Sequence, residues 1–246
     1  MFSYKTNLFS LVDREGIFED LGLRDYKETW EYQEELFRGL MAVKLKNRSL
    51  PPAEQENQVN RLLFVEHPHV YTLGRNGSDG NLLVNNIQLQ AKDASFYRID
   101  RGGDITYHGP GQIVGYPLLD LEKFGLTLKA YIERIEEVII LSLREYGIDA
   151  GRIEGATGVW IDGQDKAQVR KICAIGVKAS RFITMHGFAF NINTDLDYFN
   201  YINPCGYTDK GVTSLAKELG EKQDIEKAKL VVKKNFGIVF GINWKS

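Results

Sequence analysis

Apolar residues recur along this chain in two periods, and the switch from one to the other outlines its elements. Tyr26, Trp30, Phe37 and Met41 fall at helical spacing, the recurrence that puts side chains on one face. Asp25 precedes them as an N-cap candidate with Glu28 three residues on, as in a capping box, so a helix is predicted from Asp25 until it fades near Asn47. A second helix is capped by Thr127, carries Leu128, Ile132, Ile135, Ile139 and Leu143, and is closed by Gly147. A last helix runs from about Asp224 to Asn235, with Ile225, Ala228, Val232 and Phe236 on one face and Gly237 as its stop.

Strand-like runs lie between the helices. Leu62 to Val65, Phe96 to Ile99 and Ile113 to Leu119 are three of them. Val159 to Ile161 before the turn Asp162-Gly163, Lys171 to Val177 and Gly187 to Asn193 read as strands of one antiparallel sheet. The polar segment from Asn47 to Asn60, with Pro51 and Pro52, is a surface loop, because strand-like residues resume directly after it. No repeat period or break in composition divides the chain. It is therefore expected to form one α+β domain over residues 1–246.

Composition narrows the setting. With 246 residues, 43% hydrophobic and 11% aromatic, the chain can bury a sizeable core. Its cysteines, Cys173 and Cys205, allow one disulfide at most, which points to a reducing compartment. The first residues lack a basic stretch followed by an apolar run, and no later segment approaches membrane-spanning length. A cytoplasmic protein without a membrane partner is expected. A net charge of -2 supplies no global field for nucleic acid, so an acidic partner requires a local basic patch, for which Lys178 and Arg181 near a turn are candidates.

Two segments concentrate chemistry. Arg101 to Gln112 holds Gly102, Gly103, Gly109 and Gly111 together with Arg101 and His108, between two apolar strands. Glycines let a ligand approach the main chain, while Arg101 and His108 offer charge and hydrogen bonds; a tight bulged turn fits the same residues. The spacing matches neither G-x-x-x-x-G-K-[ST] nor G-x-G-x-x-G, so nucleotide binding lacks support. The second segment, Asn203-Pro204-Cys205-Gly206-Tyr207, reads as a turn presenting Cys205. An accessible thiol touched by backbone N–H groups becomes a nucleophilic thiolate, whereas a buried one is inert. Cys173 sits in the apolar run Ile172 to Val177 and is a poor nucleophile candidate. Lys171 opens that run; strand alternation puts it on the same face as Cys173, either in a cleft or as an edge charge. His67, His69, His108 and His186 lack the spacing of a zinc motif, and the more ordinary expectation is that they bond to backbone or orient loops around one cleft. No metal or other cofactor is expected.

The blocks EHPHVYTLGR at Glu66 to Arg75, RGGDITYHGPGQIVGYPLLDL at Arg101 to Leu121, GVW at Gly158 to Trp160, KICAIGV at Lys171 to Val177, HGFAFNIN at His186 to Asn193 and NPCGY at Asn203 to Tyr207 occur in that order. Together they resemble the octanoyl-[acyl-carrier-protein]:protein octanoyltransferases of lipoate biosynthesis. The resemblance implies a fold shared with biotin and lipoate protein ligases, an α+β domain with a mixed or antiparallel sheet flanked by helices. It implies Cys205 as the residue that carries an acyl thioester and Lys171 as the residue that lowers its pKa. It places acyl binding on Arg101, Gly102, Gly103, Asp104, Ile105, Thr106, Tyr107 and His108, on Ala174, Ile175 and Gly176, and on Gly187, Phe188 and Ala189. The donor it implies is octanoyl-acyl carrier protein. The acceptors are lipoyl domains of 2-oxoacid dehydrogenases and the glycine cleavage H protein. The closest rival is an ATP-dependent lipoate or octanoate protein ligase, which activates a free acid and needs no cysteine relay. Two departures stand out: Cys173 occupies a place where the family often has a small residue, and Asp162 to Gln168 is slightly long.

Overall fold

The computed structural model describes residues 14–162, 168–203 and 211–245. Its first half runs β1 (Arg14–Leu23), α1 (Tyr26–Asn47), β2 (Asn60–Glu66), β3 (Val70–Leu73), α2 (Asn86–Gln90), β4 (Ser95–Arg98), β5 (Ile105–His108), β6 (Gln112–Leu118) and α3 (Leu128–Arg144). The second half runs β7 (Gly151–Ile153), β8 (Ala156–Ile161), β9 (Arg170–Ser180), β10 (Ile183–Asn191), β11 (Gly211–Val212), α4 (Leu215–Leu219), α5 (Ile225–Phe240) and β12 (Ile242–Lys245). Among the described residues a nine-stranded sheet has the order β12-β1-β2-β6-β10-β9-β8-β7, with β11 against β9, and β4-β3-β5 form a small second sheet. The large sheet is mixed: β1 pairs parallel with β2 and β12, while β2, β6, β10, β9 and β8 pair antiparallel. This is the expected α+β arrangement of a mixed sheet flanked by helices.

The helices begin where capping chemistry directs. The Asp25 carboxylate accepts from the N–H groups of Lys27 and Glu28, and Thr127 accepts from that of Ala130, supplying acceptors to N–H groups that the first turn leaves without partners. Gly147, at φ +74°, lets the N–H of Ile148 return to the carbonyl of Leu143 and ends α3 as expected. Gly237 is not the stop of α5. The helix continues to Phe240 because Val239 and Phe240 are buried, with Phe240 stacked on Phe236 at 4.3 Å, and Gly241 at φ +62° ends it. A Cβ on Gly237 would come within 2.8 Å of the Ile242 carbonyl, so that glycine serves the close approach of β12.

Both faces of the central strands are covered, and so they read as continuous apolar runs. Leu62, Phe64, Ile113 and Phe190 join α3 and α5 in one core, while Leu63, Val65, Val114 and Tyr116 join Phe37 and Leu40 of α1 in another. Each such fully buried side chain contributes about 1.5–3 kcal/mol. The loop from Arg101 to Gln112 contains an element not expected from its glycines: β5 pairs with β3, Leu73 opposite Ile105 and Val70 opposite His108. No helix among the described residues is long and apolar enough to cross a membrane.

Candidate functional site

Residues of both sheets line a cavity of about 280 Å³. Its floor comes from alternate positions of three neighbouring strands: Gln112, Val114 and Tyr116 on β6, Gly187, Ala189 and Asn191 on β10, and Ala174 and Gly176 on β9. Val114, Ala189 and Ala174 lie side by side in register. Successive residues of a strand face opposite sides, so the neighbouring Ile113, Phe190 and Cys173 fill the core beneath. Glycine and alanine leave open on one face the volume that phenylalanine and isoleucine occupy on the other. Ile175 and Phe188 reach the cavity as well.

Arg101, Gly103, Asp104, Ile105, Thr106 and His108 form the opposite wall. The charges of this loop hold its own shape. Buried Arg101 donates from Nη2 to the Thr72 carbonyl at 2.8 Å and from Nη1 to the Gly102 carbonyl at 3.0 Å, and Asp104 accepts from the Ile105 N–H at 2.7 Å and from Asn81 Nδ2 at 2.6 Å. Gly102 and Tyr107 do not line the cavity. The Gly102 N–H donates to the Val177 carbonyl at 2.9 Å, and a Cβ on Gly176 would meet the Gly102 carbonyl at 2.8 Å, so the loop comes down on the floor there. Tyr107 packs in the small sheet with Tyr71 and Leu73, its hydroxyl 2.7 Å from His69 Nδ1.

Two neutral imidazoles border this wall. His67 Nδ1 donates to the Arg24 carbonyl at 2.8 Å, so its Nε2 accepts from the Tyr116 hydroxyl at 2.8 Å; burial pushes its pKa down to about 4. Gln112 donates from Nε2 to the Tyr107 carbonyl at 3.3 Å and to Asn191 Oδ1 at 2.9 Å, which turns its amide oxygen toward His108 at 2.8 Å. His108 must then donate from Nδ1, leaving Nε2 an acceptor, and burial lowers its pKa to about 3. The network continues through Asn191, which donates to the Thr213 carbonyl at 2.9 Å, to the Thr213 N–H, which donates to the Lys171 carbonyl at 3.0 Å. His186 Nε2 lies 3.3 Å from Asp100, whose carboxyl is held well below the usual range first by that hydrogen bond and then by Lys178. Among the described residues no group of three or more His, Cys, Asp or Glu side chains could hold a metal ion.

Lys171 enters the cavity through an irregularity in pairing. Val159 lies opposite Cys173 and Trp160 opposite Lys171, so one step on β8 matches two on β9 and Ile172 is the extra residue of a bulge. The bulge overturns the expectation that Lys171 and Cys173 share a face. Lys171 lines the cavity with Ala174 and Gly176, whereas Ile172 and Cys173 both enter the core. Burial pushes the Cys173 thiol up, against the opposing charge of Lys171, which keeps it an unreactive thiol. Lys178 is also not the free surface cation expected of it: it pairs with Asp100 and lies over the Phe37 ring at 5.2 Å. Arg181 is exposed.

Cys205 and its neighbours Pro204, Gly206 and Tyr207 lie outside the described residues. Ile202, two positions before that stretch, and Gly211, directly after it, both line the cavity, and Val212 pairs with Lys171 in register. The motif blocks contain Tyr116, Gln112, Trp160 and Asn191, yet nothing in their spacing indicated that they meet at one cavity. Tyr26 reads as helix core in the sequence and lines the cavity as well. Chemically, the chamber suits an apolar chain on its small-residue floor and a reacting head group beside the Lys171 ammonium.

Residues 25–237 match the model of the lipoyl protein ligase A/B catalytic domain. An octanoyltransferase of Flavobacterium johnsoniae is 57% identical over 227 residues, covering 90% of this chain and 95% of that protein. An octanoyltransferase of Cytophaga hutchinsonii is 50% identical over 232 residues, covering 94% and 95%. Among solved structures, a chain from the bi-partite lipoate protein ligase and E2 lipoyl domain of Thermoplasma acidophilum superposes with a TM-score of 0.69 at 16% identity, covering 95% of this chain and 86% of that one. A lipoate-protein ligase A bound with ATP gives a TM-score of 0.65 at 16% identity, covering 94% and 88%. The fold is that of the lipoate protein ligases.

Proposed function

This acyltransferase belongs to the lipoyl protein ligase A/B catalytic family, and we propose that it moves an octanoyl group from octanoyl-acyl carrier protein to a lysine of lipoyl domains through an acyl thioester on Cys205. Residues 1–246 act as one catalytic domain, in the cytoplasm. The Cys205 thiolate attacks the carrier's thioester carbonyl; a new C–S bond forms and the bond to the phosphopantetheine sulfur breaks. Exchange of one sulfur for another is close to isoenergetic, so the step requires no ATP. The neutral amine of the acceptor lysine then attacks the acyl-cysteine: an amide C–N bond forms, the C–S bond breaks to release the Cys205 thiolate, and the proton from the amine passes by way of solvent to the free phosphopantetheine thiolate. The Lys171 ammonium stabilises the thiolate in both halves.

One observation carries this reading. Lys171 and the residues on either side of the Cys205 stretch, Ile202 and Gly211, meet at one cavity with a floor of small residues. Along β9 that floor extends from Lys171 to Gly176, four strand steps once the bulge at Ile172 is left out or roughly 13 Å at about 3.3 Å per residue, and the loop at Gly102 comes down on its far end. Incubation with octanoyl-acyl carrier protein is expected to add one octanoyl mass on Cys205, and an apo lipoyl domain is expected to remove it, both without ATP. Normal transfer by Cys205→Ser, or strict dependence on ATP and free octanoate, would overturn the relay.

A further inference from the structure

Lys171 lies in a cradle made by three residues to which the mechanism above gives no part. Gly158 has φ +125°, and a Cβ on it would come 2.6 Å from the Cys173 carbonyl and 3.3 Å from Lys171 Cε. Only glycine leaves that space, and the alkyl arm of Lys171 passes over it. The Gly158 N–H donates to Glu136 Oε1 of α3 at 3.0 Å, and the other Glu136 oxygen accepts from Arg152 Nε at 2.9 Å. This ties β8 to the helix at the bulge that turns Lys171 into the cavity.

Trp160 completes the cradle. It is buried, lies opposite Lys171 in register, and donates from its indole nitrogen to the Ala156 carbonyl at 2.9 Å, which fixes the ring. Lys171 Nζ lies 4.5 Å from the ring centroid, inside the range of about 6 Å over which the face of an indole attracts a cation. We propose that Trp160, its ring fixed by the Ala156 carbonyl, is a positioning residue that holds Lys171, whose arm passes over Gly158, as an ammonium facing the cavity. The proposal rests on the role given to Lys171 above. It extends that role to a residue that lines the cavity beside Lys171 and supplies no reacting atom of its own.

The charged and titratable groups around this point come from four elements and a loop. Glu136 of α3 is paired with Arg152, which lies on β7. Arg170, next to Lys171 on β9, is held bidentately by Glu218 of α4 at 2.6 Å and paired with Asp162 after β8. Cys173, on the same strand, is kept neutral by burial. Trp160 is the group whose removal changes the surroundings of the ammonium without removing a charge.

The test measures kcat/KM for octanoyl transfer against pH in the full chain and in Trp160→Phe and Trp160→Leu. In parallel, alkylation of Cys205 by iodoacetamide against pH reports its ionisation. Loss of the indole face disfavours the charged lysine, so Trp160→Leu is expected to move the alkaline limb of the rate profile down by on the order of one pH unit. The Cys205 thiolate should then require a higher pH to form, and Trp160→Phe should move both curves the same way by less. A purely structural role lowers rates at every pH and leaves both curves in place; that result overturns the proposal. Should Trp160→Leu fail to fold, Trp160→Phe decides: unshifted curves overturn it. A wild-type chain that never acylates on Cys205 removes the reading of Lys171 first and this proposal with it.

Discussion

The two faces of β6, β10 and β9 share one backbone and differ in almost everything else. Toward α3 and α5 the strands present Ile113, Phe190, Ile172 and Cys173, all fully buried. Toward α1 and the small sheet they present Ala174, Gly176, Gly187 and Ala189, bordered by His108, Gln112 and Asn191. The first face is a close-packed core and the second a chamber with hydrogen-bonded polar walls. Neither strand direction nor pairing distinguishes them. Side-chain volume at alternate positions does: the cavity is there because small residues stand on one face where large ones fill the other.

Substitutions that fall on one face or the other should therefore have separable effects. The largest is expected from Phe190→Ala, which opens a void in the packed face and should cost about 3–5 kcal/mol. Denaturant unfolding measures it, and a loss below 1 kcal/mol would break the description of that face as close-packed. Acid should weaken the other face. The unfolded chain binds protons to His67 and His108 near the ordinary histidine range, while the folded chain resists until about 4 and about 3. Folded pKa values below the unfolded ones mean that stability falls as pH drops through that window. At about 1.36 kcal/mol per pH unit, going from pH 7 to pH 5 should remove about 2 kcal/mol for each histidine. The midpoint of urea unfolding at the two pH values tests this, and replacing His67 with Gln should remove part of the pH dependence.

Filling the chamber should cost little stability and change specificity. Ala189→Leu directs its added carbons toward the cavity that Ala189 lines, so it should cost less stability than Phe190→Ala. Its preference among acyl-carrier donors should move to chains shorter than octanoyl, as read from a series of six to twelve carbons. An unchanged preference would mean that the acyl chain does not lie on this floor. The smallest effect is expected from Cys173→Ala. It removes one buried sulfur on the packed face, should cost about 1 kcal/mol, and should leave the transfer rate within twofold, unlike Cys205→Ser.

Much of the architecture was legible because its causes are local. Asp25 and Thr127 cap their helices, Gly147 ends one, and the apolar runs that became β2, β6, β9 and β10 were long enough to read without partners. The missed elements have distant causes. Arg14 of β1 finds its parallel partner at Ile242, at the other end of the chain, and neither segment shows a clear alternation of its own. β5 lies in a glycine-rich loop and is a strand only because β3 lies beside it. Lys178 read as solvated because its partner, Asp100, is far along the chain.

The candidate site divides in the same way. The sequence by itself determined the ordered blocks that mark the family, and it made Cys205, Lys171 and the stretch from Arg101 to His108 candidates whose roles only the resemblance implied. Tertiary structure alone decided which way Lys171 faces. Strand alternation would have put Lys171 beside Cys173; a bulge at Ile172, set by how β8 pairs with β9, turned it into the cavity and onto Trp160. A period of two is a property of one strand, but a shift in register is a property of two, and no single stretch of sequence contains it.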